Sequence, residues 1–258
     1  MNLIDKVFEK KVYVDVGRRY SKKLKGFVEL SVKGRRVAAY VRRGDPTKKT
    51  IIYLHGNAED LLSCGYGHTD GFERLGYTVA AVDYPGYGLS EGPFSEAGCY
   101  ENTHALYEYL VADCGIRPEN IAVIGCSLGS GVAVELASTA RVGGLVLEVA
   151  FYSGAREAVY MADRVGLGGM QSALMGIGNF PSAARIRTVR CPVLSIHGTS
   201  DEIVPFEQGR DLYGEAPNQY GFVKVPGSGH CEYITRLGEE RYASLITRFV
   251  EDAGSASA

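Results

Sequence analysis

The chain has 258 residues, of which 45% are hydrophobic and 22% are charged, and its formal net charge is −2 at pH 7. This length suits one large-cored domain, and we expect residues 1–258 to form it. The near-neutral balance argues against a nucleic-acid binder, and no apolar run approaches the roughly 20 residues that a membrane span needs.

The N-terminal residues and the cysteines indicate a compartment. Charges at Asp5, Lys6 and Glu9 interrupt any apolar run that could serve as a signal peptide. The six cysteines contain no CxxC pair, so they predict free thiols and a cytoplasmic protein. We expect no metal site and no cofactor, because closely paired Cys or His ligands are absent.

The apolar runs predict the elements in chain order. FVELSV and RRVAAYV flank Lys33-Gly34 and predict an N-terminal antiparallel hairpin. Later apolar runs alternate mostly with helical stretches and lie at 51–54, 79–82, 121–125, 145–150, 193–197 and 222–225. This pattern indicates an α/β protein with a mostly parallel sheet and helices on both faces. Its ligand crevice is expected beyond the carboxyl ends of the strands.

A nucleophile motif follows the run at 121–125. Gly125-x-Ser127-x-Gly129 stands between an apolar strand and a helical run, which is typical of a sharp turn that exposes a serine above the sheet. Small residues are needed two positions before and two positions after the serine, because strand and helix approach closely there. The alternative is a purely structural Gly-rich turn.

A base and an acid follow in the chain order that this motif requires. His230 lies in a Gly- and Ser-containing loop after the last apolar run, and it is the only histidine beyond His197. Asp201 follows the run at 193–197 and would hold the imidazole by its Nδ1–H, with Glu202 as the alternative acid. We expect His197 to support its own turn rather than to titrate.

Acyl transfer also needs backbone donors for an oxyanion. In this arrangement one donor follows the nucleophile, which indicates Leu128, and the other lies in an earlier strand-end loop, which indicates Asn57. An ordinary Gly turn is the alternative interpretation of the loop that contains Asn57.

Residues 151–190 occupy the usual place for a cap. They are rich in methionine and leucine, including Met170 and Leu174. One interpretation is a helix packed on the sheet. The other is an apolar wall for an acyl chain, with Met170 and Leu174 as substrate-binding residues.

Five segments carry a family resemblance: LHGNAED, DYPGYGLSEG, GIRPENIAVIGCSLGSG, CPVLSIHGTSDEIVP and GSGHCEY. Together they resemble the small intracellular α/β-hydrolase-domain proteins that include protein depalmitoylases, over about residues 50 to 250. The resemblance implies the α/β-hydrolase fold and the same three residues, Ser127, Asp201 and His230. The chain departs from depalmitoylating members in having no cysteine before Cys64, and from several relatives in having Cys126 before the nucleophile.

These features predict a serine hydrolase that cleaves carboxylic esters or acyl thioesters through an acyl-enzyme. Its substrate would be a small-molecule ester or an acylated protein. Two alternatives stay open: a serine peptidase related to the prolyl oligopeptidase clan, for whose propeller the chain has no room, and a non-catalytic hydrolase-fold binding protein. The acyl-chain length and the oligomeric state are left open.

Overall fold

The computed structural model describes residues 20–64, 68–164 and 178–253. The strands are β1 (Phe27–Val32), β2 (Arg35–Arg42), β3 (Thr50–Leu54), β4 (Thr78–Val82), β5 (Ile121–Cys126), β6 (Gly144–Glu148), β7 (Val193–Gly198) and β8 (Gln219–Val225). The α-helices are α1 (Leu61–Cys64), α2 (Asp70–Arg74), α3 (Glu96–Glu108), α4 (Leu128–Thr139), α5 (Gly154–Arg164), α6 (Ser182–Ile186), α7 (Phe206–Gly214), α8 (Tyr233–Leu237) and α9 (Glu239–Ala253).

The eight strands form one sheet in the order β1-β2-β4-β3-β5-β6-β7-β8. The β1–β2 hairpin turns at Lys33 and Gly34, whose φ angles are 51° and 78°. Two successive positive φ angles are those of a type I′ turn, which matches the twist of a two-strand ribbon. Strand β2 also pairs antiparallel with β4, and every later pair is parallel. The predicted hairpin and mostly parallel sheet are confirmed.

The central strands are apolar because helices cover both of their faces. Every residue of β3, β4, β5, β6 and β7 is buried. One face packs against α3, α4 and α6, and the other against α1, α2, α8 and α9. Alternate residues of each strand therefore belong to two separate cores.

Two predicted strand ends were wrong by a few residues. The run at 145–150 ends as a strand at Glu148, because Val149 has a φ of 44° that extended backbone does not allow. The run at 222–225 begins as a strand at Gln219, where two exposed residues hide the strand from a search for apolar runs.

The segment between β6 and β7 packs on the sheet at both of its ends. Phe151, Phe180 and Ile186 belong to the core that contains α4. Met170 and Leu174 lie outside the described residues, so their predicted role in binding an acyl chain stays a prediction. None of the helices in the described ranges is long and apolar enough to cross a membrane.

Candidate active site

The turn between β5 and α4 holds Ser127 in an unusual conformation. Its φ and ψ are 50° and −115°, a region that non-glycine residues rarely occupy. A Cβ on Gly125 would lie 2.4 Å from the Gly129 carbonyl oxygen, and one on Gly129 would lie 2.0 Å from that of Leu54. Both positions therefore have no room for a side chain, which agrees with the small residues that were predicted there.

Three side chains from separate loops meet beyond the ends of β5, β7 and β8. His230 Nε2 lies 3.0 Å from Ser127 Oγ, and His230 Nδ1 lies 2.8 Å from Asp201 Oδ2. With its proton on Nδ1, the imidazole donates to the carboxylate and leaves Nε2 free to accept from the hydroxyl. The structure thus brings together the three residues that the sequence singled out.

Four donors surround the carboxylate of Asp201. Its Oδ1 accepts the backbone N–H groups of Ile203 and Val204, each at 2.9 Å. Its Oδ2 faces His230 and also lies 3.3 Å from His197 Nε2. Burial raises the pKa of Asp201, but the hydrogen bonds from His197, His230 and Val204 outweigh burial and hold it well below the usual value.

His197 is the second imidazole beside this carboxylate. Its ring is fully buried, and its Nε2–H is shared between the Val204 carbonyl oxygen, at 3.0 Å, and Asp201. A Cβ on Gly209 would lie 2.1 Å from Nδ1, so glycine is required for the ring to fit. His197 does support its turn, but the contact with Asp201 was missed. Its place four residues before the acid was the available signal.

The loop after β3 carries the predicted oxyanion donor Asn57. Its side-chain Oδ1 accepts the Tyr87 hydroxyl at 2.7 Å and the Ala58 N–H at 3.0 Å. The Glu59 carboxylate accepts the N–H of Gly56 at 2.5 Å. These bonds fix the loop beside the turn that carries Ser127, while Leu128 begins α4 on the other side. The role of either backbone N–H in binding an oxyanion stays a proposal.

Comparison with known proteins agrees with this architecture. Residues 49–165 match the family model described as alpha/beta hydrolase fold. The chain is 36% identical to alpha/beta hydrolase domain-containing protein aho-3 of Caenorhabditis elegans, over 78% of this chain and 60% of that protein. It is 31% identical to alpha/beta hydrolase domain-containing protein 17C of Mus musculus, over 77% and 61% respectively. The chain has the α/β-hydrolase fold.

Solved structures of other α/β hydrolases show the same fold at lower sequence identity. An alpha-beta hydrolase from Vibrio vulnificus superposes with a TM-score of 0.77 at 23% identity, covering 96% of this chain and 94% of that one. An esterase from Pyrococcus furiosus superposes with a TM-score of 0.73 at 18% identity, covering 93% and 97%. The chain spans about 60% of the length of the curated relatives that it matches.

Behind the turn at Ser127, the fold buries another carboxyl group. Glu148 is fully buried at the end of β6, and it accepts the hydroxyls of Tyr233 at 2.9 Å and Tyr242 at 2.6 Å. Burial raises the pKa of Glu148. Glu148 lies inside a run, 145–150, that is otherwise apolar. A charged residue inside such a run signals a buried hydrogen-bond network, here one that ties the His230 loop to β6.

Neither thiol next to the three site residues is activated. Burial raises the pKa of Cys126, and burial together with Glu59, Asp201 and Glu232 raises that of Cys231. Across the described ranges, no group of three or more His, Cys, Asp or Glu side chains is placed to hold a metal ion.

A half-buried carboxyl group, Glu157, lies on α5 near Asp201. It accepts the side-chain N–H of Gln208 at 2.7 Å. Burial, and to a lesser degree the charge of Asp201, raises its pKa to about 7. Because the usual value is 4.5, Glu157 takes up a proton more readily in the fold than in the unfolded chain.

This shift predicts a pH dependence of stability. The contribution of Glu157 is fully present below about pH 4.5 and is lost as pH rises towards 7 and above. Glu157→Gln keeps an acceptor for Gln208 and removes the charge. At pH 8 we expect the variant to be more stable by roughly 1–3 kcal/mol, since one pKa unit is about 1.4 kcal/mol.

Urea unfolding at pH 5 and pH 8 measures this difference. Glu207→Gln is the matched control, because it makes the same charge change at an exposed position on α7. Equal stabilisation by both variants at pH 8 would contradict the assigned cause, burial of Glu157.

Proposed function

We propose that this chain is a serine hydrolase that cleaves carboxylic esters or acyl thioesters through an acyl-enzyme. The observation that carries the proposal is the continuous contact from Ser127 Oγ through the His230 ring to Asp201, at 3.0 Å and 2.8 Å. A serine hydroxyl is a weak nucleophile, and an adjacent base oriented by an acid is what activates it.

In the proposed reaction, Ser127 Oγ attacks the carbonyl carbon while His230 Nε2 takes its proton. Asp201 keeps the imidazole oriented and stabilises the imidazolium. His230 then gives the proton to the leaving alcohol or thiol as the acyl-enzyme forms. A water molecule repeats the sequence and releases the acid. The strained turn at Ser127 supports this role, because strained backbone is concentrated at functional sites.

The negative charge that develops on the carbonyl oxygen needs preorganised donors. We assign them to the backbone N–H groups of Leu128 and Asn57. Leu128 stands at the first turn of α4, where N–H groups have no partner within the helix. The hydrogen bonds of the Asn57 side chain with Tyr87 and Ala58 hold its loop in one conformation, which a preorganised donor requires.

The substrate class rests on the relatives and on the segment between β6 and β7. The resemblance to proteins that include depalmitoylases favours an acylated protein or a small-molecule ester. We further propose that residues 151–190, including Met170 and Leu174, contact the acyl chain. Six free cysteines suit a reducing compartment such as the cytoplasm.

Labelling with a fluorophosphonate tests the proposal directly. This probe phosphonylates a serine only when a base has activated its hydroxyl, so we expect one adduct per chain, located on Ser127 by peptide mass spectrometry. Acid-denatured protein is the control and should not react. An intact chain that hydrolyses p-nitrophenyl butyrate without an adduct on Ser127 would rule the assignment out.

A further inference from the structure

A carboxylate lies beside the proposed nucleophile without a role in the chemistry. Glu59 follows Ala58, whose φ of 66° turns the loop back on itself. A Cβ at Gly56 would lie 3.1 Å from Glu59 Oε2 and 3.5 Å from the Ser127 Cβ, so one small gap separates the two side chains. The Glu59 side chain is 24% exposed, so it is not sealed away from a bound molecule.

Glu59 has no cationic side chain to neutralise it within the described ranges, apart from a nearby histidine. That residue is His68, whose Nε2 lies 3.6 Å from Glu59 Oε1. His68 stacks on Tyr53, and its buried Nδ1 has no hydrogen-bond partner among the described residues. No lysine or arginine among the described residues therefore balances the charge of Glu59.

The charge of Glu59 also acts on the loop that carries His230. Cys231 follows His230, and the charge of Glu59 is one cause, after burial, of the raised pKa of its thiol. The same holds for Cys126, on the other side of Ser127. A substrate bound between the loop that carries Asn57 and the loop that carries His230 would therefore lie in the electric field of this carboxylate.

We propose that Glu59 selects substrates by charge, so that the site favours esters or thioesters with a cationic group near the scissile bond and disfavours anionic ones. The inference rests on the proposed function, since it concerns the substrate of the same site. A cation placed there would form the charge pair that Glu59 lacks among the described residues. An anion placed there meets uncompensated repulsion.

Two pairs of uncharged and cationic esters of equal shape test this selection. On the acyl side, p-nitrophenyl 4-(trimethylammonio)butanoate is compared with p-nitrophenyl 5,5-dimethylhexanoate. On the leaving-group side, butyrylthiocholine is compared with S-(3,3-dimethylbutyl) thiobutyrate. We expect kcat/KM to favour the cation by roughly tenfold in at least one pair at low salt, the scale of a charge pair several ångströms apart near a protein surface. p-Nitrophenyl 4-sulfobutanoate should be slower than the uncharged acyl ester.

The ratio of kcat/KM within a pair is the decisive measurement in variants. Glu59→Gln keeps an acceptor for the Gly56 N–H and removes the charge, so the cationic preference should fall to about one. Glu232→Gln is the matched control, because it removes a carboxylate that follows His230 closely but is mostly exposed and pairs with Arg236. This control should keep the preference. Added salt should weaken the preference in the wild type and leave the Glu59→Gln ratio unchanged.

The outcomes separate this inference from the function on which it rests. Absence of Ser127-dependent hydrolysis of every ester would overturn the proposed function itself. Hydrolysis of the uncharged esters with no preference in either pair would overturn the charge selection alone. A preference that survives Glu59→Gln unchanged would also overturn it, because the selecting charge would then lie elsewhere.

Discussion

Ser127→Ala should remove nearly all ester hydrolysis while the fold stays intact. The variant deletes only the attacking oxygen, and its small side chain fits the same turn. His230→Ala should cost about as much, because the members of a nucleophile–base pair act as a unit, and we expect a loss in kcat on the order of 10³-fold or more for each. The measurement is kcat and KM for p-nitrophenyl butyrate in the wild type and both variants.

Ser138→Ala on the same helix is the control for the removal of a hydroxyl, since it lies near the far end of α4. Circular dichroism and the thermal midpoint show whether each variant is folded. The double variant Ser127→Ala/His230→Ala should be no slower than either single variant. Additive losses would contradict a shared role, and full activity of Ser127→Ala would end the assignment of the nucleophile.

Gly129→Ala should destabilise the whole domain. The added methyl group would lie 2.0 Å from the Leu54 carbonyl oxygen and 2.7 Å from that of His55, both in the backbone at the end of β3. Backbone inside a central strand cannot move aside as a side chain can. Overpacking typically costs 1–3 kcal/mol, and we expect about 3 kcal/mol or more here. For a domain of this size, that lowers Tm by roughly 10 °C.

Gly214→Ala is the matched control for the same chemical change. It ends α7 at an exposed position, and a Cβ there would meet nothing within 4 Å. We expect its Tm to stay the same or to rise slightly, because alanine favours a helix over glycine by about 0.5–1 kcal/mol. Thermal unfolding followed by circular dichroism measures both variants. A Gly129→Ala midpoint equal to that of the wild type would show that α4 can move away from β3.

The central strands were predictable because a strand that is buried on both faces consists of consecutive apolar residues. A run such as the one at 121–125 has no polar residue to place on a solvent side. The order of the strands was not predictable in the same way. Strand β4 lies between β2 and β3, and no local pattern in an apolar run says which neighbour it will have.

The residues of the candidate site were predictable for a topological reason. Parallel strands end at the same edge of a sheet, so Ser127, Asp201 and His230 follow strand ends that must converge. The positions of His197 and Glu148 along the chain gave a signal, but their partners were not predictable, because these depend on how α7, α8 and α9 pack against those ends. The negative charge near Ser127 was not predictable either, because Glu59 reaches the site only through a backbone turn at Ala58.

Because four donors surround Asp201, its buried carboxylate stays stabilised even when His230 is replaced. Two backbone N–H groups and His197 continue to hold the carboxylate when the His230 ring is absent. Loss of that ring would therefore not strand a buried charge, which is the usual reason that such losses unfold a protein. A single substitution at position 230 should therefore leave a folded chain that lacks the proposed base, so an inactive descendant lies one evolutionary step away from the proposed hydrolase.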